Sequence, residues 1–349
     1  MKIAIHHTES AHPDSFSRKW IEYLPSRDIE PLVLDFKQSN TIEQIRGCAG
    51  AMWHWFHTPD DKQAAPKILD AIEFGLRLPV FPNRQTRWHY DEKISQHYLF
   101  DAINAPKIKT WVFWDRQSAV EFIETAQFPL VFKLSVGAGS ANVLKLEHRS
   151  EALRLIEIMF ADGFTPYTVN EFEQKLSVSF PSFYRRLKDS ANYLLKRRWP
   201  AGPQKPPHWY YLIQKNYIYF QEFLPDNRND IRVTVIGERI FAYLRYNRDN
   251  DFRASGSGNL EYNRSLIPEE ALQIASQISK ENRFQSMAYD FLVAPEQGLV
   301  LSEISYCYVN RLVHDCGGYW DEDLNWQEGA TWPEDAILED FIQSLDKHA

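Results

Sequence analysis

The stretch AYDFLVAPEQGLVLSEIS, residues 288–305, has the pattern of a β-hairpin with one carboxylate in each arm. PEQG, residues 295–298, is typical of a turn, and the runs on either side of it are apolar and strand-like. Asp290 and Glu303 then lie on adjacent strands, where facing carboxylates repel unless a cation separates them. Mg²⁺ is often held by one or two carboxylates together with substrate phosphates. Exposure to solvent, or pairing with arginines, would satisfy the two carboxylates equally well.

Arginines precede the hairpin in a region of alternating apolar and polar residues, 217–246, which predicts antiparallel strands joined by a turn at 236–239. Fixed positive charge stabilises a phosphoryl group during transfer, so arginines near two candidate metal ligands favour phosphoryl chemistry. A charged outer face of the sheet is the alternative for any one of them. These arginines are Arg232, Arg245, Arg248 and Arg253, the last of them in the small-residue loop DFRASGSGN, 251–259.

A glycine-rich stretch, KLSVGAGSANV at 133–143, follows the strand-like run FPLVF. It lacks the GK[ST] ending of a P-loop, and Asn142 stands where a dinucleotide fingerprint has its third glycine. On its own the stretch is compatible with a phosphate-binding loop or with a plain turn between strands. Lys133 would deliver its ammonium group at a strand end, beside a carboxylate or a phosphate. Lys93 begins a predicted helix, 91–102, and by itself is typical of a surface lysine.

The first 85 residues alternate strand-like and helical segments, which predicts an open parallel α/β layer. After about residue 217 the pattern changes to α+β with antiparallel strands, and it ends in an acidic helix over 333–345. In the N-terminal layer the expected strands are 2–5, 30–36 and 50–56, and the expected helices are 16–24 and 66–76.

Length and composition limit the classes of protein. A chain of 349 residues with 44% hydrophobic and 14% aromatic content predicts a folded protein of several sub-domains. A net charge of −8 argues against nucleic acid as a general partner. The three cysteines form no CxxC pair, which fits a reducing compartment without zinc or disulfides. No window has the ~18 to 20 apolar residues of a membrane span, so we expect a soluble, cytoplasmic protein, either a monomer or a homodimer.

The order of these features resembles the ATP-grasp superfamily, closest in pattern to the branch of ribosomal-protein glutamate ligases and glutathione synthetases. The resemblance runs from Phe81 to Ser305 and implies the ATP-grasp fold, with both α/β and α+β parts. An N-terminal parallel α/β layer, 1–85, would precede two α+β sub-domains, 86–225 and 226–349, that hold the nucleotide between them. Five segments carry the resemblance: FPN with DEKISQHYLFDAINAPKIKTWVF, FPLVFKLSVGAGSANV, YFQEFLPDNRNDIRVTVIGERIFAYLR, DFRASGSGN, and MAYDFLV with GLVLSEIS.

The resemblance implies an ATP site built from several parts of the chain. Lys93 and Lys133 match the two ATP-binding lysines of the family, and Asp226 matches the acidic residue that holds the ribose. Two further elements are a mobile glycine-rich loop over the β- and γ-phosphates and a linker whose backbone binds adenine. The loop includes Ser135, Gly137, Gly139 and Ser140, and the linker includes Gln221, Glu222, Phe223 and Leu224.

The resemblance also implies catalytic arginines and a magnesium site. Arg232, Arg245 and Arg253 match arginines near the phosphates and the acyl intermediate, and the two hairpin carboxylates match the magnesium ligands. The family motif ends in Glu-x-Asn, whereas this chain has Ser305 at the last position. Serine offers an oxygen with a shorter reach, so we expect one metal ion to be held less tightly.

The implied reaction joins a carboxylate to an amine with the help of ATP and Mg²⁺. The carboxylate attacks the γ-phosphate of ATP to give an acyl phosphate, and the amine then displaces phosphate. Two alternatives stay open at this point. One is a kinase that phosphorylates a hydroxyl group, and the other is a nucleotide-binding module without catalysis.

A basic insert, 161–215, separates Lys133 from the adenine linker. Within it, residues 183–215 hold eight Lys/Arg and one Asp, a charge of +7. Such a surface suits an anionic acceptor, for example an acidic glycan, a nucleotide-sugar or an anionic lipid head group. We therefore favour attachment of an amino acid to a cell-surface glycan precursor. A solvated basic helix, neutralised by the acidic C-terminus, is the alternative, and no RNA-binding motif accompanies the charge.

Overall fold

The computed structural model describes residues 1–8, 15–137, 142–165, 212–248 and 257–346. The chain packs into two compact units. The first comprises Met1–Lys109 and Leu224–Ala349, and the second comprises Thr110–Gly137 and Ala141–Phe223. The division of the sequence at 85 and 225 stays a prediction. Most of the basic insert, together with Gly139, Ser140 and Arg253, lies outside the described residues.

The N-terminal part of the first unit is a parallel sheet, as its sequence pattern predicts. Its strands are β1 (Lys2–His6), β2 (Glu30–Leu34), β3 (Gly50–Met52) and β4 (Val80–Phe81), in the order β2-β1-β3-β4. The middle residues of β1 are isoleucine, alanine and isoleucine, and all three are fully buried. A near-continuous apolar strand of this kind is expected where a parallel sheet is covered on both faces.

Helices connect these strands, and one of them differs from the prediction. The helix expected over 66–76 begins earlier, as Pro59–Asp70, and continues into a π-helical turn, Ala71–Gly75. Proline at the first helical position and two aspartates in the first turn favour the earlier start. The remaining helices of this region are Ser17–Tyr23, Thr41–Ile45, Arg84–Arg87 and Lys93–Ala102, with a 3₁₀ turn at Leu24–Arg27.

The second unit is an antiparallel sheet with two helices. Its strands are β5 (Thr110–Phe113), β6 (Leu130–Lys133), β7 (Val143–Leu146) and β8 (Ile218–Glu222), in the order β5-β8-β6-β7. The helices Arg116–Thr125 and Arg149–Met159 pack against each other. Aspartate caps the first of these helices, because its side chain accepts a hydrogen bond from the backbone of the N3 residue.

The larger sheet of the first unit is built around four long antiparallel strands. These are β9 (Asn229–Ile236), β10 (Arg239–Tyr246), β12 (Ser286–Ala294) and β13 (Gly298–Ser305). With the short strands β14 (Gly318–Trp320) and β15 (Trp326–Glu328), the sheet runs β13-β12-β9-β10-β14-β15. The two hairpins expected from the sequence, with turns near 237 and 296, are confirmed. The short strands were not predicted: β11 (Leu260–Glu261) pairs with β10, and β14 (Gly318–Trp320) and β15 (Trp326–Glu328) extend the sheet.

Three helices accompany the larger sheet: Glu269–Asn282, Asn310–His314 and Pro333–Asp346. The last of them buries Ile337, Leu338 and Phe341 in the core that both sheets of the first unit share. Trp20 of the N-terminal layer donates its indole N–H to the carbonyl of Glu334, 314 residues away in sequence. The main hydrophobic core of the first unit is therefore made from both ends of the chain.

Two simple properties follow from the described residues. Every helix among them is too short or too polar to cross a lipid bilayer. Cys48, Cys307 and Cys316 form no disulfide bond with one another.

Two buried histidines make the stability of the fold sensitive to acid. Burial lowers the pKa of His6 and of His89 to about 4. Both rings are therefore neutral in the folded protein at pH 6, whereas the unfolded chain binds protons below about pH 6.5. Stability should be complete above about pH 6.5 and should fall as the pH drops toward 4, by up to about 1.4 kcal/mol per pH unit for each histidine.

Urea unfolding between about pH 5 and about pH 7.5 measures this loss of stability. His89→Phe should reduce the pH dependence by the share that His89 contributes. His314→Phe is the control, because the His314 side chain is 30% exposed. An unchanged pH dependence in His89→Phe would contradict the assignment.

Candidate nucleotide and metal site

Four residues form a row across the larger sheet. Tyr243 of β10 pairs with Arg232 of β9, Arg232 pairs with Asp290 of β12, and Asp290 pairs with Glu303 of β13. Directly opposed residues in adjacent strands have their side chains on the same face of the sheet. The predicted proximity of Asp290 and Glu303 is thus confirmed. A β-bulge after Asp290 interrupts the hairpin register at this point, as bulges often do beside functional sites.

Two arginines and two aspartates in this region form a buried group, which we call the charge quartet: Asp230, Arg232, Arg245 and Asp290. Arg232 donates to Asp290 through Nε and Nη2, at 2.6 Å each. Arg245 donates to Asp230 through the same two nitrogens, at 2.7 and 2.6 Å, and its Nη2 lies 2.8 Å from Asp290 Oδ2. The sequence was compatible with Asp290 exposed to solvent, bound to a cation or paired with arginines, and the structure shows it paired with arginines.

The quartet keeps Asp290 ionised. Burial alone would raise the pKa of this carboxyl, but the charges and hydrogen bonds of Arg232 and Arg245 outweigh burial and hold the pKa well below its usual range. Burial likewise opposes the charge of Arg245, and Asp290 and Asp230 together raise its pKa above the ordinary value. Burial raises the pKa of Asp230, and the charge of Arg245 opposes that rise. With both aspartates ionised, the quartet as a whole is neutral.

Lys93 adjoins the quartet through Glu303. Its Nζ lies 3.3 Å from Glu303 Oε1, and its side chain is only 5% exposed. Burial alone would lower the pKa of Lys93, but Glu303 and then Asp91 raise it above the ordinary value. The predicted first ATP lysine is therefore a buried cation beside the hairpin, and the surface position that is typical of a lone lysine is excluded.

Gln96 fixes the helix that carries Lys93. Its side-chain amide donates to the carbonyl of Ile304 at 2.8 Å and accepts from the backbone N–H of Ile304 at 3.2 Å. β13 is the edge strand of this sheet, and the Gln96 amide makes the backbone hydrogen bonds that a neighbouring strand would otherwise make there. Residues three apart share a face of a helix, so this contact places Lys93 over the same strand and beside Glu303.

Ser305 differs from the two carboxylates. Its hydroxyl donates to the carbonyl of Cys307 at 2.8 Å and accepts from the backbone N–H of Cys307 at 3.2 Å. Asn310, the nearest asparagine downstream, donates instead to Glu334 Oε1. The serine oxygen lies on the same strand as Glu303, two residues on, but it takes part in a local turn.

The quartet, together with Lys93 and Glu303, fits a magnesium ion that arrives together with phosphate oxygens. Three cations, Lys93, Arg232 and Arg245, balance three carboxylates, Asp230, Asp290 and Glu303. A bare divalent ion gains no net attraction from a neutral group, whereas nucleotide phosphates bring negative charge of their own. Within the described residues, no set of three or more His, Cys, Asp or Glu side chains is arranged to hold a metal. Two carboxylates completed by phosphate oxygens remain a suitable donor set.

The beginning of the glycine-rich stretch is held by the second unit. Lys133 is the last residue of β6. The backbone N–H of Ser135 donates to the Tyr217 hydroxyl at 2.8 Å, and Ser135 is buried. Gly137 has φ +119°, a value that favours glycine. Asn142, in place of a third glycine, has φ +66°, which asparagine tolerates better than most residues.

The predicted adenine linker leaves the end of β8. Gln221 is buried and donates to the hydroxyls of Thr110 and Tyr219. Glu222 is the last residue of the strand, and Lys145 Nζ lies 4.2 Å from the centre of the Phe223 ring. Two more residues of this segment belong to the first unit: Leu224 packs beside Ile108, and Asp226 is exposed with φ +65°.

Sequence reasoning missed Asp230, although a signal for it was present. A hairpin turn at 236–239 places residue 230 opposite residue 245 and residue 232 opposite residue 243. Asp230 and Arg232 are two apart and therefore lie on one face. The turn alone thus predicts a carboxylate beside Arg245. Gln96 had no comparable signal, because its contact with Ile304 spans 208 residues.

The comparisons agree with this architecture. Residues 210–310 match the family model of the RimK-like ATP-grasp domain, a range that includes β8 to β13 and the quartet. None of the curated protein sequences compared with the chain matches it.

Solved structures resemble the chain over nearly its whole length. A RimK-domain ATP-grasp protein from Sphaerobacter thermophilus has 13% identity and a TM-score of 0.57, over 98% of this chain and 100% of that one. D-alanine–D-alanine ligase from Bacillus anthracis has 11% identity and a TM-score of 0.56, over 100% of both chains. A RiPP-associated ATP-grasp ligase from Chryseobacterium gregarium, in complex with ADP and a leader and core peptide, has 14% identity and a TM-score of 0.54, over 100% and 97%.

These similarities define a class of protein. The fold is the ATP-grasp fold, with the parallel N-terminal sheet and the antiparallel sheets that the sequence pattern predicts. Within this fold, residues 210–310 carry the match to the RimK-like ATP-grasp domain. The roles of the individual site residues stay predictions.

Removing one carboxylate of the quartet should destabilise the protein strongly. Asp290→Asn leaves Arg232 and Arg245 with one aspartate between them, and an uncompensated buried charge costs about 3–5 kcal/mol. Glu30→Gln is the control, since it removes an exposed ion pair with Lys2, and exposed ion pairs contribute little to stability. Urea unfolding at neutral pH measures both variants. Equal stability of Asp290→Asn and Glu30→Gln would contradict the buried quartet.

Proposed function

We propose that the protein is an ATP- and Mg²⁺-dependent ligase that joins a carboxylate to an amine through an acyl phosphate. The observation that carries the proposal lies in the first unit, where three cations adjoin the carboxylates Asp290 and Glu303. The cations are Lys93, Arg232 and Arg245. Fixed cations beside hard oxygen donors are what phosphoryl transfer from a magnesium nucleotide requires. The match of residues 210–310 to the RimK-like ATP-grasp domain and the ATP-grasp fold support the same chemistry, since several of the similar structures are ligases.

In the proposed reaction the substrate carboxylate attacks the γ-phosphorus of ATP, and ADP leaves. The amine then attacks the acyl carbon, and phosphate leaves. When bound, Mg²⁺ neutralises charge on the phosphate oxygens. Arg232 and Arg245 donate N–H groups to the oxygens of the transferred group, and Lys93 adds a third cation. Asp290 and Glu303 would hold the metal through their carboxylate oxygens.

The acceptor in this proposal is anionic, because residues 183–215 carry a charge of +7. Our preferred reaction adds an amino acid to a cell-surface glycan precursor. A peptide acceptor belongs in the same test, because the Chryseobacterium ligase was solved with a leader and core peptide. Two alternatives remain distinguishable by their products. An ATP-grasp kinase would phosphorylate the acceptor, and a nucleotide-binding module would give no product.

Phosphate release from ATP, screened over carboxylates and amines, tests the reaction. Phosphate that depends on both substrates, with an amide detected by mass spectrometry, supports a ligase. A phosphorylated acceptor would identify a kinase, and nucleotide binding without turnover would identify a module. Arg232→Gln should lower kcat by about 100- to 1,000-fold, since it removes a donor to the transferred group. Arg239→Gln, on the same sheet but paired with Asp340, is the control and should keep near-normal activity.

The basic segment can be tested separately. Replacing Arg185, Arg186 and Lys188 with glutamine should raise the KM for an anionic acceptor by about tenfold and leave the KM for ATP within about twofold. Steady-state kinetics at two salt concentrations provides the measurement, because screening weakens the wild-type preference. Equal effects on both KM values would argue against an acceptor surface.

A further inference from the structure

Asp230 is buried at the edge of the quartet and is 8% exposed. Both of its oxygens accept from Arg245. It matches no residue assigned above to the nucleotide, the metal or the acceptor. Among the described residues, both side-chain hydrogen bonds of Asp230 come from Arg245, another member of the quartet, which suggests a role exerted through that partner.

The two arginines of the quartet are used unequally. Arg232 directs its paired donors, Nε and Nη2, to Asp290. Arg245 directs the same paired donors to Asp230, and only its Nη2 is shared with Asp290, at 2.8 Å. Asp290 thus accepts two contacts from Arg232 and one shared contact from Arg245. Bidentate pairing is the strongest geometry between arginine and a carboxylate, so Asp230 holds Arg245 more firmly than Asp290 does.

This inequality matters for a cation at Asp290. Asp290 Oδ2 already accepts from Arg232 and Arg245, so it must give up one of these N–H contacts before it can coordinate a metal. Arg232 can exchange its contact with Asp290 for a contact with phosphate. Without Asp230, the paired donors of Arg245 would turn to Asp290 and compete with the metal for the same oxygens.

We propose that Asp230 is a positioning residue that limits Arg245 to a single contact with Asp290, because it binds the paired donors of Arg245, and that it thereby sets the affinity of the site for its divalent ion without touching that ion. The proposal rests on the proposed ATP and Mg²⁺ site. It differs from a purely structural role, in which loss of Asp230 would weaken folding or all ligands alike.

The test measures metal and nucleotide binding separately on the full-length protein. Isothermal titration with the ATP analogue AMPPNP, at increasing Mg²⁺, gives the Mg²⁺ concentration at half-saturation, and titration in EDTA gives the affinity for the metal-free nucleotide. Asp230→Asn should raise the half-saturating Mg²⁺ concentration about tenfold, the effect of one competing charge contact. The affinity for metal-free AMPPNP should stay within about threefold of wild type or increase, because Arg245 gains freedom.

Two further variants make the test specific. Asp340→Asn removes the aspartate that holds Arg239, and it should leave the Mg²⁺ requirement unchanged. Asp230→Asn with Arg245→Gln removes the anchor and the competitor together, and it should bring the half-saturating Mg²⁺ back to within about threefold of wild type. Removing both partners of a buried pair is less destabilising than removing one, so the double variant remains informative if Asp230→Asn fails to fold.

The outcomes separate the two proposals. A folded Asp230→Asn variant with the wild-type Mg²⁺ requirement, or a double variant that needs about tenfold more Mg²⁺ than wild type, would overturn the role of Asp230. Equal weakening of metal-free and metal-bound nucleotide in Asp230→Asn would also overturn it, in favour of a structural role. If the wild-type protein binds AMPPNP but shows no Mg²⁺ dependence, the proposed magnesium site itself is refuted, and this inference falls with it.

Discussion

Asp290 is ionised inside an apolar sheet because Arg232 and Arg245 both donate to it. The three residues come from three strands, β12, β9 and β10, so their contacts require one register across the sheet. A slip of one residue would turn a buried charge to the opposite face and leave it without a partner. The quartet therefore specifies the alignment of the strands as well as the chemistry that they present.

The neighbouring contact between Lys93 and Glu303 extends this arrangement to the N-terminal part of the first unit. Gln96 binds the backbone of β13, and the helix then presents Lys93 to the sheet face that carries the two hairpin carboxylates. Among the three predicted metal ligands, Ser305 is the least suited to a metal, because its hydroxyl already donates to the carbonyl of Cys307 and accepts from the N–H of Cys307. A metal held here would depend on two carboxylates and on oxygens supplied by the nucleotide.

Much of this arrangement could be predicted from the sequence, since local patterns determine it. The turn residues PEQG gave the hairpin and hence the pairing of Asp290 with Glu303. The turn at Gly237 determines the other hairpin, and with it the position of Asp230 opposite Arg245. Short elements such as β14 and β15 have three residues each, too few for a periodicity to be visible. Contacts such as that of Gln96 with Ile304 join segments far apart in sequence, and only the packed core brings them together.

The hydrogen bond between Trp20 and Glu334 also has a consequence for biosynthesis. The second unit, Thr110–Phe223, lies inside the first in chain order, so it can complete its core while the ribosome is still adding residues. The first unit waits for the helix Pro333–Asp346, which supplies Ile337, Leu338 and Phe341 to its core. Until those residues are made, the N-terminal strands expose apolar surface. The N-terminal layer therefore stays incompletely packed until this helix has been made.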